Sequence, residues 1–154
     1  MIYLSFLNNS FSGTIPQTIG NLTALTLLSF SKNHFSGTIP SSITNIDQLQ
    51  FFDASMNNFT GVIPQDIGNN WQLTVLALHQ NSLSGTIPLS LGYITTIQEM
   101  YMGHNNLSGP IPNIASMHML QVLSAPNNQL NGTISTTLLS GIACVKTLDL
   151  SFNL

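Results

Sequence analysis

Charged side chains are scarce in this chain of 154 residues. Only 5% of the residues are charged: arginine is absent, Lys32 and Lys146 are the two lysines, and five acidic residues give a formal net charge of −3. Proteins that bind nucleic acid need clusters of Lys or Arg to neutralise phosphate groups. An anionic membrane surface attracts the same kind of basic cluster. The composition therefore excludes both a nucleic-acid partner and a basic membrane-binding patch.

Cysteine and long apolar runs are also scarce. Cys144 is the single cysteine, so no disulfide can form within the chain. It lies in the apolar run 142–145, which predicts a buried, unreactive thiol. No unbroken apolar run reaches the roughly 18 residues that a membrane span needs, so we expect no direct membrane insertion by this segment.

What the chain does contain is one stretch repeated with substitutions. Residues 73–92, LTVLALHQNSLSGTIPLSLG, combine a short apolar alternation, a lone asparagine and a Ser-Gly-Thr-Ile-Pro corner. The corner glycine recurs in steps of 24 residues, at Gly13, Gly37, Gly61, Gly85 and Gly109. The asparagine recurs close to the same phase, at Asn9, Asn33, Asn57, Asn81, Asn105, Asn128 and Asn153. A fixed period of roughly 20–29 residues with this pattern indicates leucine-rich repeats.

Each coil is predicted to begin with a short strand. Apolar residues alternate in the half-buried strand pattern, at Leu4/Phe6, Leu28/Phe30, Phe52/Ala54, Leu76/Leu78, Met100/Met102, Leu123/Ala125 and Leu148/Leu150. Stacked copies would form a parallel sheet, and the asparagine after each strand would bond the backbone of its own coil and of its neighbour. One coil has Asn70 where an apolar residue is expected, and we expect the adjacent Trp71 to compensate.

The copies resemble the plant-specific class of extracellular leucine-rich repeat, whose pattern is L-x-x-L-x-L-x-x-N-x-L-S-G-x-I-P-x-x-L-G-x-L, over essentially the whole chain. The resemblance implies an α/β-type solenoid, a right-handed superhelix with a parallel sheet on its concave face and a mostly irregular or 3-10 convex side. It also implies a second short strand near the Ser-Gly-x-Ile-Pro corner.

Residues 1–154 are predicted to form a single array of about six 24-residue coils. The cysteine-paired caps of the class have no counterpart in the sequence, and terminal repeats of solenoids normally need a polar cap. We therefore expect a fragment of a longer protein. The last coils depart from the pattern, because Ser135 replaces proline and one residue is added near Gly141.

The residues between the inward apolar pairs are expected to line the concave face, the usual binding surface of a solenoid. We predict a ligand-binding patch at eight of these positions: Tyr3, Phe51, Asp53, Val75, His79, Glu99, Tyr101 and His104. The alternative is a surface filled by strand-forming residues without a dedicated ligand. A metal is not predicted, because His79 and His104 lack enough further ligands. Asp53 and Glu99 are too far apart for an acid–base pair.

Five asparagines begin an Asn-x-Ser/Thr acceptor motif for N-linked glycans. They are Asn8, Asn21, Asn58, Asn106 and Asn131. None of them is an asparagine of the repeat, so all five are expected to be exposed. Acceptor motifs and a low lysine and arginine content both favour a secreted glycoprotein.

The resemblance implies a non-catalytic recognition module of a cell-surface receptor-like protein, active in signalling or defence. Its partner would be a protein, peptide or glycan bound on the concave face, with a co-receptor as a further partner. No cofactor is expected, and any kinase domain or plasma-membrane anchor would lie outside this chain. One alternative is a secreted inhibitor similar to polygalacturonase-inhibiting proteins. Another is a structural surface protein, and an enzyme is the least favoured function.

Overall fold

A computed structural model describes residues 2–134, 136 and 143–154. Ser135 and Gly141, where the repeat departs from its pattern, lie outside the described residues. Within the described ranges, no helix has the length and apolar character needed to cross a bilayer.

The first strand of every coil joins one parallel sheet, which we call the concave sheet. Over the described residues it contains seven strands of three residues each: Tyr3–Ser5 (β1), Leu27–Ser29 (β3), Phe51–Asp53 (β5), Val75–Ala77 (β7), Glu99–Tyr101 (β9), Val122–Ser124 (β11) and Thr147–Asp149 (β13). Equivalent residues pair in register, so that Leu28 lies between Leu4 and Phe52. The alternation places the middle residue of each strand inward, and Leu28 and Phe52 are buried.

The second strand of each coil forms a parallel sheet that we call the outer sheet. In the described part of the chain its six strands are Ser12–Thr14 (β2), His34–Thr38 (β4), Asn58–Val62 (β6), Ser82–Thr86 (β8), Asn106–Gly109 (β10) and Gln129–Leu130 (β12). The corner glycines have positive φ, for example +76° at Gly61, where a Cβ is unfavourable. This is the second strand that the resemblance implies.

Short 3-10 helices follow the corner on the convex side. The described helices are Gln17–Asn21 (η1), Ser41–Asn45 (η2), Ile67–Asn69 (η3) and Leu89–Tyr93 (η4). Pro16, Pro40 and Pro88 immediately precede three of them. Proline fits there because its fixed φ suits the entry to a helix and its missing N–H is not needed.

The core is a continuous column of apolar side chains between the two sheets and the 3-10 helices. In the first three coils it contains a run of phenylalanines. The rings of Phe6 and Phe30 stack at 5.4 Å, and Phe35 and Phe59 stack at 6.4 Å. Phe30 and Phe35 meet edge to face at 5.2 Å, which connects the two stacks across the core.

The asparagines after the concave strands join the two sheets. Asn33 Nδ2 donates to the carbonyls of Phe6 (2.7 Å) and Phe30 (2.9 Å), and its Oδ1 accepts the N–H of Phe11 (3.0 Å). The same pattern recurs at Asn57, Asn81, Asn105, Asn128 and Asn153. Each asparagine thus ties its own coil to the preceding one through both sheets.

Two expectations about single residues are wrong. Trp71 does not compensate for Asn70, because 60% of Trp71 is exposed while Asn70 itself is fully buried. Asn70 Nδ2 donates to the carbonyls of Ile43 (3.2 Å) and Ile46 (3.0 Å) in the preceding coil, whereas its buried Oδ1 has no partner among the described residues. Cys144 is exposed rather than buried. It lies in the turn before β13, where even the strand residue Leu148 remains 38% exposed.

Candidate functional site

The outward residues of the concave sheet form rows across neighbouring strands. Phe51, Val75 and Glu99 are paired in register in one row. The next row runs from Asp53 through Ala77 to Tyr101. Five of the eight predicted binding residues therefore lie on three adjacent strands, about 4.8 Å apart.

A depression of about 400 Å³ opens beside these rows, at the end of the strands. Three predicted residues, His79, Tyr101 and His104, line it. Five further residues of its wall were not predicted: Met56, Gln80, Gly103, Ser124 and Pro126. Gly103 leaves no open space, because an added Cβ would lie 2.8 Å from Pro126 Cδ, and no signal in the sequence marks the depression.

Tyr3 lies apart from this depression. It is 68% exposed on β1, whereas Tyr101 lies four strands further along the same sheet. Four strand spacings correspond to about 19 Å. The structure therefore places Tyr3 on the same face as the other predicted residues but does not bring it to the depression.

His79 is one of two histidines that line the depression. Its Nδ1 is buried and has no hydrogen-bond partner among the described residues. Burial lowers the pKa of His79 below 6.5, the nearby Asp53 carboxylate partly opposes this shift, and His104 adds to it. His79 is therefore mainly neutral at pH 7. The ring of Tyr101 meets the His79 ring edge to face at 6.1 Å and 67°.

Tyr101 is held by a carboxylate on its own strand. Its hydroxyl donates a hydrogen bond to Glu99 Oε2 at 3.0 Å. Burial, the hydrogen bond to Glu99 and the negative charge of Glu99 all raise the pKa of Tyr101. Because the phenol stays protonated and bonded, the Tyr101 ring is a fixed wall of the depression.

Asp53 is also fixed by local hydrogen bonds. Its Oδ1 accepts the backbone N–H of Ser55 at 2.9 Å and the Ser55 hydroxyl at 2.6 Å. Ser31 Oγ lies 2.9 Å from Ser55 Oγ, and it is the donor of this pair because the Ser55 proton is already directed to Asp53. This network orients one carboxylate oxygen.

The rim of the depression is built from strained backbone. One residue per coil, just before the repeat asparagine, has a φ between 53° and 58°: Asn8, Lys32, Met56, Gln80, His104, Asn127 and Phe152. Among residues with a Cβ, Asn, Asp and His adopt this left-handed conformation more often than the others, and Lys, Met, Gln and Phe adopt it rarely. Met56, Gln80 and His104 belong to this column and also line the depression, so the turn that ends each concave strand directs them to the rim.

Metal and acid–base chemistry receive little support from this arrangement. Among the described residues, no group of three or more His, Cys, Asp or Glu side chains could hold a metal ion. Asp53 and Glu99 lie on strands separated by β7, about 10 Å apart by the strand spacing.

The five glycan acceptors Asn8, Asn21, Asn58, Asn106 and Asn131 are all exposed.

The outer sheet presents a second, more regular surface. The outward positions of its described strands are serine, threonine, asparagine, glutamine, valine and one histidine, without Asp, Glu, Lys or Arg. Hydroxyls in one column donate to the glycine carbonyl of the preceding coil, as Ser84 does to Gly61 at 3.2 Å. An added Cβ on Gly61 would lie 2.8 Å from Thr38 Cγ2, so the Thr38 methyl packs over the glycine. The outer face is thus uncharged and regular.

Comparison with known proteins identifies the repeat. Residues 1–22, 24–46, 48–70 and 72–94, more than half of the chain, match the family described as Leucine Rich Repeat. The chain belongs to the leucine-rich repeat family. The matching family is a repeat family and not an enzyme family.

Two solved receptor structures show which leucine-rich repeats are similar. The LRR ectodomain of the plant membrane receptor kinase GASSHO1/SCHENGEN3 from Arabidopsis thaliana, in complex with CASPARIAN STRIP INTEGRITY FACTOR 2, is 35% identical with a TM-score of 0.90, covering 99% of this chain and 18% of that chain. The Arabidopsis receptor kinase HAESA, in complex with the peptide hormone IDA and the co-receptor SERK1, is 35% identical with a TM-score of 0.95. That match covers 99% of this chain and 26% of the HAESA chain. The plant-type resemblance and the solenoid fold are confirmed.

A third similar solved structure is of a protein with a different role. A plant ice-binding protein is 29% identical with a TM-score of 0.85, and the match covers 99% of this chain and 49% of that chain. The chain spans about a fifth to a quarter of the length of the two receptor chains and about half of the ice-binding one. Comparison with curated protein sequences found no match.

Proposed function

We propose that this leucine-rich repeat array is a non-catalytic ligand-recognition module on the outside of a cell, part of a receptor-like protein. The observation that carries the proposal is the depression on the concave sheet, bounded by Tyr101, His79 and His104. Its volume of about 400 Å³ lies within the roughly 300–1,000 Å³ range of ligand pockets. The similar receptor kinase HAESA is in complex with a peptide hormone, which favours a peptide here as well.

The chemistry of the site indicates what such a peptide would carry. Met56, Pro126 and the Tyr101 ring offer an apolar and aromatic wall for one side chain of the ligand. The carboxylates of Asp53 and Glu99 on the neighbouring rows favour a basic group next to it. An extended peptide lying across the strands would therefore place an apolar residue in the depression and a basic residue over the acidic rows.

A selection from a random peptide library, with the full chain as bait, tests this function. We expect the enriched peptides to combine a basic with an apolar residue and to lose at least about tenfold in affinity to the Tyr101→Ala variant. Thr60→Ala, an exposed change on the outer sheet, is the matched control and should bind as well as the unchanged chain. Binders that are insensitive to Tyr101→Ala, or equally sensitive to both variants, would contradict a concave-face site.

A second candidate function, adsorption to ice, is favoured by the regular outer face. In the row Thr38, Thr60 and Ser82 the hydroxyls pair in register at the strand spacing of about 4.8 Å and carry no formal charge, and the Thr38 methyl packs on Gly61. Such an array would order water in fixed positions. Thr86→Lys places a charge in this face and should abolish inhibition of ice recrystallisation. The control Val75→Lys, on the concave sheet, should leave it unchanged; the reverse result would reject this function.

A further inference from the structure

Two glycan acceptors occupy equivalent positions on the outer sheet. Asn58 is the first residue of β6 and Asn106 the first residue of β10, and both are exposed. One strand, β8, lies between them, with Ser82 at the equivalent position. The pairing shifts by two residues at each strand, since Thr60 pairs with Ser82 and Ser84 with Asn106. The two asparagines are therefore roughly 16 Å apart on one face.

Each acceptor follows directly after an asparagine of the repeat, and the two side chains have different surroundings. Asn57 and Asn105 direct their Nδ2 atoms to backbone carbonyls of their own and the preceding coil. Among the described residues, the side chains of Asn58 and Asn106 form no hydrogen bond. A substituent on their Nδ2 would therefore break no contact of the fold.

The rest of the acceptor motif is also present on this surface. Thr60 and Ser108 supply the hydroxyl two residues later, and both hydroxyls lie 3.4 Å from a glycine carbonyl of the preceding coil. The intervening residues Phe59 and Leu107 are fully buried. The alternation of the strand thus keeps the acceptor and the hydroxyl on the outside while the residue between them anchors the strand.

We propose that Asn58 and Asn106 carry N-linked oligosaccharides that cover the outer sheet and leave the concave sheet open. The Nδ2 atom of each asparagine would form a bond to the anomeric C1 of a lipid-linked oligosaccharide. The bond from C1 to the diphosphate oxygen breaks, the lipid diphosphate leaves, and Nδ2 releases one proton. This modification does not depend on which ligand the concave face binds, and a chain carrying both glycans could not adsorb to a flat solid through its outer face.

The test is production of the chain in a eukaryotic secretory host, followed by intact mass and glycopeptide mapping. We expect one glycan mass to be lost in each of the variants Thr60→Ala and Ser108→Ala. Ser84→Ala is the matched control, because it removes the equivalent hydroxyl from a coil without an acceptor. Ser82→Asn creates an acceptor in that coil and should gain one glycan.

Coverage of the outer face is measured by thiol labelling in a Cys144→Ser background. A Ser84→Cys variant should react several-fold faster with a bulky maleimide after enzymatic removal of the glycans. A Val75→Cys variant, at an outward position of β7 on the concave sheet, should react at the same rate before and after. Unmodified Asn58 and Asn106 would overturn the proposal, as would equal labelling of Ser84→Cys before and after deglycosylation.

Discussion

The concave and outer sheets are built from the same coils, yet they differ in how much their exposed side chains vary. Equivalent outward positions of the concave sheet change from coil to coil, from Phe51 to Val75 to Glu99. The outer-sheet positions that bond the glycine carbonyl of the preceding coil remain small and hydroxylated: Ser36, Thr60, Ser84 and Ser108. The reason is packing: one outer column, as at Ser84, bonds the glycine carbonyl of the preceding coil, and a second, as at Thr38, covers the glycine of the following coil, whereas the concave column contacts no corner.

This difference shows which surface residues can vary without disturbing the packing between coils. A residue whose size and hydrogen bond are prescribed by the next coil cannot be varied to suit a ligand. A residue that only has to tolerate a strand can be varied. The concave sheet is thus the surface whose outward side chains the fold leaves free to vary, and the following variants test the contrast.

The largest expected effect comes from the asparagine that joins the two sheets. Asn105→Ala removes the Oδ1 acceptor of the Leu83 N–H (2.9 Å) and the donor to the Leu78 carbonyl (3.0 Å), both inside the core. We expect a loss of about 3 kcal/mol in the free energy of unfolding, measured by urea denaturation of unglycosylated protein. Asn106→Ala, at the exposed next residue, should change it by less than about 0.5 kcal/mol. Similar losses would mean that the asparagine does not couple the sheets.

A smaller loss is expected when the corner of the outer sheet is filled. Gly61→Ala introduces a Cβ at φ +76° that would lie 2.8 Å from Thr38 Cγ2. Strain and contact together should cost about 2 kcal/mol of unfolding free energy. In a Thr38→Ser background the methyl is absent, so only the cost of the backbone conformation should remain. Equal losses of unfolding free energy in both backgrounds would show that contact with the Thr38 methyl does not contribute to the cost of a side chain at position 61.

At the turn that ends a concave strand, we expect a glycine variant to be more stable than an alanine variant. Lys32 has φ +55°, a conformation that glycine adopts without steric penalty. Lys32→Gly should therefore be more stable to urea than Lys32→Ala by about 0.5–1 kcal/mol, because both remove the same side chain interactions and differ mainly in backbone strain. This is the reverse of the order in a helix. An alanine variant as stable as the glycine variant would refute strain at this turn.

The smallest effect is a pH dependence centred on His79. Since burial holds its pKa below 6.5, the unfolded chain binds the proton first as the pH falls. The stability contributed by neutral His79 is present above pH 6.5 and is lost as the pH falls through the unfolded and then the folded pKa. His79→Gln should lose less thermal stability between about pH 7.5 and pH 5 than the unchanged chain. A ring-proton NMR titration with a midpoint above 6.5 would contradict the sign.

The period of the repeat allowed much of the fold to be predicted from the sequence. Recurrence of an apolar pair such as Leu76/Leu78 before an asparagine such as Asn81 places strand, turn and core without reference to other proteins. The second sheet followed from family resemblance rather than from the pattern, because strands broken by a glycine with positive φ do not alternate cleanly. Asn70 and Trp71 were misjudged, since the rule of apolar burial ignores a buried amide that finds two carbonyls.

The candidate site was less predictable than the fold. Sequence reasoning identified the face and selected His79, Tyr101 and His104, which the structure places around one depression. It did not select Met56 or Gly103, because a depression depends on how the sizes of neighbouring side chains in three coils combine. The left-handed turns were missed too, since lysine, methionine and phenylalanine give no local signal for them.

The asparagine hydrogen bonds give the array a polarity, like that of a filament with two different ends. Asn33 reaches back to Phe6 and Phe11, and no repeat asparagine in the described residues bonds the coil that follows it. Backbone groups of each coil thus find their hydrogen-bond partner in the asparagine of the next coil. A unit added after the last coil must bring an asparagine to meet waiting backbone groups, whereas a unit added before the first needs only its own backbone. Growth of such arrays by duplication is therefore chemically asymmetric.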